Sequence, residues 1–210
     1  MGQLRALVAA LLLLRVTAAA APGGPHARRT LVQLGDESLR RTHSRLLTAV
    51  ADGGGEVDYT QSGPLDSYDA LVLLAGSRGL GGLGVSDVLH FLEDSGGRGG
   101  VFLTLGASGV SGLARELAAE LGVDVGEAAA GAAPGGEALA GPPVLRPGAA
   151  ALPVRCTGVP QLLPDPPAAT GAVACGGGAV AASAVQARGG ARAAVVTSAD
   201  LVEDEGWGVG

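Results

Sequence analysis

Three short apolar runs constrain what this chain can fold into more than any other feature. They are residues 30–34 (TLVQL), 70–75 (ALVLLA) and 101–105 (VFLTL), and each is followed directly by a glycine: Gly35, Gly76 and Gly106. Runs this short and this continuously apolar suit strands covered on both faces. Between the first two lies a helical pattern. Leu39, His43, Leu46, Leu47 and Val50 fall at i, i+4, i+7, i+8 and i+11 on one face, with Arg40, Arg41, Ser44 and Arg45 on the other. Residues 56–60 read as a second short strand. A second helix has Ser86 as its cap and Val85, Val88, Leu89 and Leu92 inward. A third has Leu113, Leu117 and Leu121 inward, Arg115, Glu116 and Glu120 outward, and Gly122 as its C-terminal stop. Residues 123–125 add a strand. Strand–helix alternation with such short links implies a parallel, doubly wound α/β sheet over about residues 29–125. From 126 to 170 the periodicity vanishes under Ala, Gly and Pro, and the stretch reads as a loop or insertion. Order returns at residues 179–185, turns at Gly189-Gly190, and ends on a last strand at 193–197, carrying the domain to about residue 205.

Composition decides what the motifs are worth. Glycine supplies 37 of 210 residues and the aromatics 2%. Lys, Asn and Ile are absent, so all 14 basic residues are Arg. Gly- and Ala-based motifs therefore arise here by chance. A net charge of −6 with no basic cluster speaks against nucleic acid as a partner, and so few aromatics leave no stacking platform for single strands. No apolar run approaches the ~20 residues of a membrane-spanning helix. Without Asn there is no N-glycosylation acceptor.

The N-terminus reads as an address. Arg5 precedes an apolar stretch at 6–14 (ALVAALLLL), Arg15 stops it, and Ala18 to Ala21 lead into Pro22-Gly23-Gly24. That order predicts a secretory signal peptide over residues 1–21. Cys156 and Cys175, 19 residues apart, suit an oxidising compartment. They read either as a disulfide, worth roughly 3 kcal/mol by chain entropy, or as two buried thiols. His26, His43 and His90 share no metal-ligand spacing with them.

Four constellations bear on chemistry. Residues 79–84 spell G-x-G-x-x-G after a strand and before a helix, the context of a dinucleotide site. At this glycine frequency roughly one such match is expected by chance, and no carboxylate follows the next strand to hold a ribose, so the stretch reads as a turn. Ser108 stands where a nucleophile elbow would, but Val110 replaces the closing glycine and neither His43 nor His90 has an evident carboxylate partner. A secreted hydrolase or amidotransferase-like enzyme using Ser108 is the rival functional reading, and a small-ligand domain using the 76–84 loop is another. Thr197, Ser198 and Asp200 end the last strand, where α/β sheets bind ligands or cap the next element. Asp36-Glu37 could begin a metal site but lacks a third carboxylate.

Several strings together resemble the 48-kDa subunit family of the eukaryotic oligosaccharyltransferase. Arg29-Thr30-Leu31-Val32 opens the domain as in that family, and Arg40-Arg41-Thr42-His43-Ser44 resembles its R-x-T-H-S helix start. Tyr68-Asp69-Ala70-Leu71-Val72 resembles its Y-D-x-L-I strand entry, and Phe91-Leu92 with Gly100-Val101 its helix–turn–strand passage. Arg115-Glu116-Leu117 and Leu121-Gly122-Val123 resemble R-E-L…G-I. Residues 185–192 (VQARGGAR) resemble L-Q-A-R-N-N-A-R, and Ser198-Ala199-Asp200-Leu201 a strand end. The strings cover residues 29–125 and 180–201. The resemblance implies a flavodoxin-like lumenal domain akin to class I glutamine amidotransferases, acting as a scaffold behind a signal peptide at the endoplasmic reticulum membrane. It implies the other oligosaccharyltransferase subunits as partners, including the catalytic one. No catalytic, cofactor or metal residue is carried over, because the catalytic residues of that complex belong to another subunit. The family continues into a second lumenal domain and a C-terminal membrane helix, which the sequence to Gly210 does not contain, so membrane association is expected through the complex or that missing helix.

Overall fold

The computed structural model describes residues 28–52, 55–76, 79–106, 110–128, 136–138, 160–165, 169–175, 180–187 and 190–197. The continuous apolar runs form the middle of a single mixed sheet. Strands β1 (Arg29–Leu34), β2 (Glu56–Asp58), β3 (Ala70–Ala75), β4 (Gly100–Leu105) and the last strand, β10 (Arg192–Val196), run parallel in the order β2-β1-β3-β4-β10. Every residue of β3 and β4 is buried. One parity of side chains, including Leu31, Leu71, Leu73, Val101, Leu103 and Val195, packs with α3 (Val85–Asp94) and α4 (Gly112–Glu120). The other parity, including Val32, Val72, Leu74 and Phe102, is equally buried but lies outside that cluster, as do Leu46 and Leu47 of α2 (Ser44–Asp52). Side chains alternate across a strand, so α2 and the α3/α4 pair cover opposite faces. Each large side chain so buried contributes about 1.5–3 kcal/mol.

The helices depart from the predicted pattern in instructive ways. The first is broken into α1 (Leu39–Thr42) and α2 by His43. Thr42 Oγ1 reaches both the Leu39 carbonyl (3.4 Å) and His43 Nδ1 (2.8 Å), the local competition that loosens a helix. The backbone bonds His43 N–H to Leu39 O and Leu47 N–H to His43 O still bridge the break, so the apolar stripe stays in register and His43, Leu46 and Leu47 face inward. In α3 the N-cap is Gly84, not Ser86: the Asp87 carboxylate, one turn in, accepts from the Gly84 N–H at 2.8 Å. In α4 the cap is Ser111, whose Oγ accepts from Ala114 N–H, and Leu113 is 43% exposed. A strict four-residue spacing drifts off a 3.6-residue period, and Ala114, Leu117, Ala118 and Leu121 form the true inner stripe. Gly122 closes this helix with φ +76°, as its position predicts.

The parallel expectation fails beyond β10. The link from β9 (Val180–Gln186) is a tight turn closed by Ala187 N–H on Ala191 O, too short for a crossover, and β9 pairs antiparallel with β10. Antiparallel neighbours follow: β8 (Ala169–Cys175) on β9, β6 (Gly136–Ala138) on β8, and β7 (Pro160–Pro164) between β9 and β5 (Val123–Ala128). Two of these strands fall within 126–170, where the sequence pattern shows no strand. The pairing of β5 is informative at its edge. Asp165 N–H donates to Gly122 O, and with the antiparallel register this turns the polar groups of Val123 and Val125 away from β7. Arg115 of α4 folds back and donates to the Val125 carbonyl, covering that edge. Among the described residues no helix is long and apolar enough to cross a membrane.

Candidate functional site

Open α/β sheets hold ligands outside the carboxyl ends of their strands, where the chain leaves neighbouring strands in opposite directions. That switch point lies here between β1, which leads outward to β2, and β3, which leads to β4. The crevice is filled by backbone. A Cβ on Gly35, just past β1, would stand 2.3 Å from both Gly76 N and Gly79 O, and one on Gly76 would stand 3.1 Å from the Gly35 carbonyl carbon. Gly35 N–H donates to Leu74 O at 2.8 Å, and Gly76 and Gly79 exchange two 3.3 Å hydrogen bonds. A Cβ on Gly81, at φ +71°, would stand 2.8 Å from Gln33 Oε1. Leu80 and Leu83 anchor the loop from below, both buried.

The G-x-G-x-x-G stretch has its first and last glycine N–H groups already engaged. Its function elsewhere depends on free N–H groups at a helix N-terminus facing a phosphate. Here Gly79 N–H is taken by Gly76 O, and Gly84 N–H, at the mouth of α3, by the carboxylate of Asp87. The chain supplies its own anion where a phosphate would sit.

Among the described residues the other candidates do not assemble a reacting centre. Ser108 lies outside the described residues, as do Ser198, Asp200 and Cys156; Cys175 ends β8, and its side chain is likewise not described. The proposed disulfide therefore lies outside the described residues. Thr197 sits buried just past β10. His43 is 3% exposed and bonded to Thr42, while His90 lies exposed on α3. Asp36 Oδ1 accepts from Ser38 N–H and Glu37 pairs with Arg40 at 2.6 Å, so both acids serve the turn into α1. Among the described residues no three metal-ligating side chains converge.

A polar cluster that the sequence reading missed joins β1, β2 and the connection to β3. Asp58 Oδ2 accepts from Arg29 at 2.6 Å, the Tyr68 hydroxyl at 3.0 Å and the Ser62 hydroxyl at 3.2 Å. The Arg29 guanidinium lies 4.7 Å from the centre of the Tyr68 ring, and the Arg29 backbone N–H donates to Asp69. The Tyr68 hydroxyl, more than the burial that opposes it, and then Arg29 and Ser62 hold the Asp58 carboxyl below its ordinary value. An acid engaged by three donors is a fastener, not a base. The available signal was the pair Tyr68-Asp69 directly before a strand, with Arg29 opening the strand beside it.

Concave surface appears at the opposite end of the sheet. The C-terminal ends of α3 and α4 and the end of β9 border a groove of about 350 Å³, floored by Leu89, Leu92, Leu121 and Val185 and rimmed by Glu93 and Glu120. No protein-family model matches this chain, and no curated protein is significantly similar to it.

Proposed function

We propose that this chain is a non-catalytic scaffold subunit of the oligosaccharyltransferase, supporting transfer of the preassembled glycan from dolichyl diphosphate to Asn in N-x-S/T. The observation that carries the reading is the filled switch point: between the carboxyl ends of β1 and β3 the backbones of Gly35, Gly76 and Gly79 meet, and Asp87 takes the Gly84 N–H at the mouth of α3. The ordered strings that resemble the 48-kDa subunit family support it further, because they fall on joints of the fold. Arg29 and Tyr68 belong to the Asp58 fastener, His43 marks the α1/α2 break, Arg115 covers the β5 edge, and Gly122 ends α4.

On this reading the domain is doubly wound and flavodoxin-like, akin to class I glutamine amidotransferases, with antiparallel strands added beyond β10. The signal at 1–21 delivers it to the lumenal side of the endoplasmic reticulum. Its partners are the other subunits, and it uses neither cofactor nor metal. The rival reading, a hydrolase built on Ser108, would need a histidine base; His43 is buried with its Nδ1 on the Thr42 hydroxyl, and His90 lies exposed on α3. The test is affinity purification of the tagged chain from detergent-solubilised microsomes. Co-purification with the catalytic subunit in constant ratio is expected; a chain that purifies without any oligosaccharyltransferase subunit would overturn the reading.

A further inference from the structure

The groove between the ends of α3 and α4 selects its own partner by chemistry. Its floor is lined by apolar side chains of which little is bared: Leu92, Leu121 and Val185 are 2%, 4% and 6% exposed, and Leu89, half-buried, is the more open of the four. Its rims are anionic, with Glu93 on α3 and Glu120 on α4, both exposed. Both helices also end here, and a helix C-terminus carries the equivalent of about half a negative charge. Among the described lining residues none is basic. A neutral apolar ligand would leave the rims unused, and an acidic one would be repelled. An arginine or lysine satisfies both, since its methylene stem lies along apolar surface while its charged head reaches a carboxylate. The volume suits one or two such side chains, being at the small end of binding cavities.

We propose that this groove receives a segment of a partner protein that carries leucine-like residues interleaved with arginine or lysine. The inference rests on the groove alone and stands apart from the glycosylation reading. It is tested by NMR on the full chain with labelled Leu and Val methyls. Three probes are titrated: the acetylated, amidated hexapeptides LRLLRL, LELLEL and SRSSRS. LRLLRL is expected to shift the methyls of Leu89, Leu92, Leu121 and Val185, with the other two binding at least about fivefold more weakly. The pair Glu93→Gln with Glu120→Gln should weaken LRLLRL about fivefold, as two partly exposed ion pairs are lost, and added salt should weaken it too. Glu116→Gln, the same charge change on α4 outside the groove, should leave binding unchanged. Equal binding of LELLEL, shifts at other methyls, an unaffected double variant, or no shift with LRLLRL at millimolar concentration would each overturn the proposal.

Discussion

Replacing Gly35 by alanine tests how the switch point is closed. The backbone of Gly35 is not in the left-handed region, so alanine meets no conformational penalty of its own there. The whole effect is steric. The added Cβ would sit 2.3 Å from Gly76 N and 2.3 Å from Gly79 O, both backbone atoms that no rotamer change can remove. Relief requires the 76–79 loop to lift or β1 to slide against β3. Overpacking of this kind costs about 1–3 kcal/mol. Displacement also strains the Gly35 N–H to Leu74 O bond, worth about 1 kcal/mol. The expected loss is thus about 2–4 kcal/mol, a large part of the 5–15 kcal/mol that typically holds a domain together. Gly112→Ala is the control. It opens α4, and nothing lies within 4 Å of its added Cβ, so it should be neutral or stabilising by up to about 1 kcal/mol. Urea unfolding followed by far-UV circular dichroism reads the difference. With slopes of about 1–3 kcal/mol per molar, the two midpoints should differ by about 1 M or more. Coincident midpoints would show that the loop does not rest on Gly35, and the closed crevice would be refuted.

Two further outcomes are expected. Asp58 has a folded-state pKa below its ordinary 3.8, so its contribution is present above that value and is lost as pH falls through the lowered one. Asp58→Asn should therefore be less stable than the wild type near pH 6, with the gap in urea midpoint narrowing below about pH 4; a gap independent of pH would contradict the Asp58 cluster. Arg115→Ala uncovers the Val125 carbonyl on the outer edge of β5, so sedimentation velocity should show more concentration-dependent association than the wild type, and identical profiles would show the edge is guarded otherwise.

What the sequence disclosed and what it concealed divide along physical lines. The apolar runs of β3 and β4 left one solution, a strand buried on both faces, and the 39–50 stripe survived even the break at His43 because hydrogen bonds cross it. The break itself was hidden, since a Thr side chain competing for backbone gives no periodic signal. Leu113 misled because its spacing was counted in fours, and the small Ala114 that is buried in its place carries little hydrophobic weight. Strands β6 and β8 were hardest to see, as Gly- and Ala-rich segments lack the alternation of large and polar side chains on which strand recognition rests. The closed switch point was beyond reach for another reason. A G-x-G-x-x-G stretch looks the same whether its N–H groups meet a phosphate or Gly76 and Asp87, and only the fold of the loop distinguishes them.

The most direct measurement of the scaffold role is glycosylation-site occupancy of a reporter in cells depleted of the resembling subunit. Wild-type chain and Ser108→Ala are expressed at matched levels, and occupancy is read by mass spectrometry. Equal restoration by both is expected, because on the proposed reading no side chain of this molecule takes part in the transfer. Restoration by the wild type alone, with the variant folded and present, would make Ser108 a working nucleophile. Restoration by neither would contradict a place in the oligosaccharyltransferase.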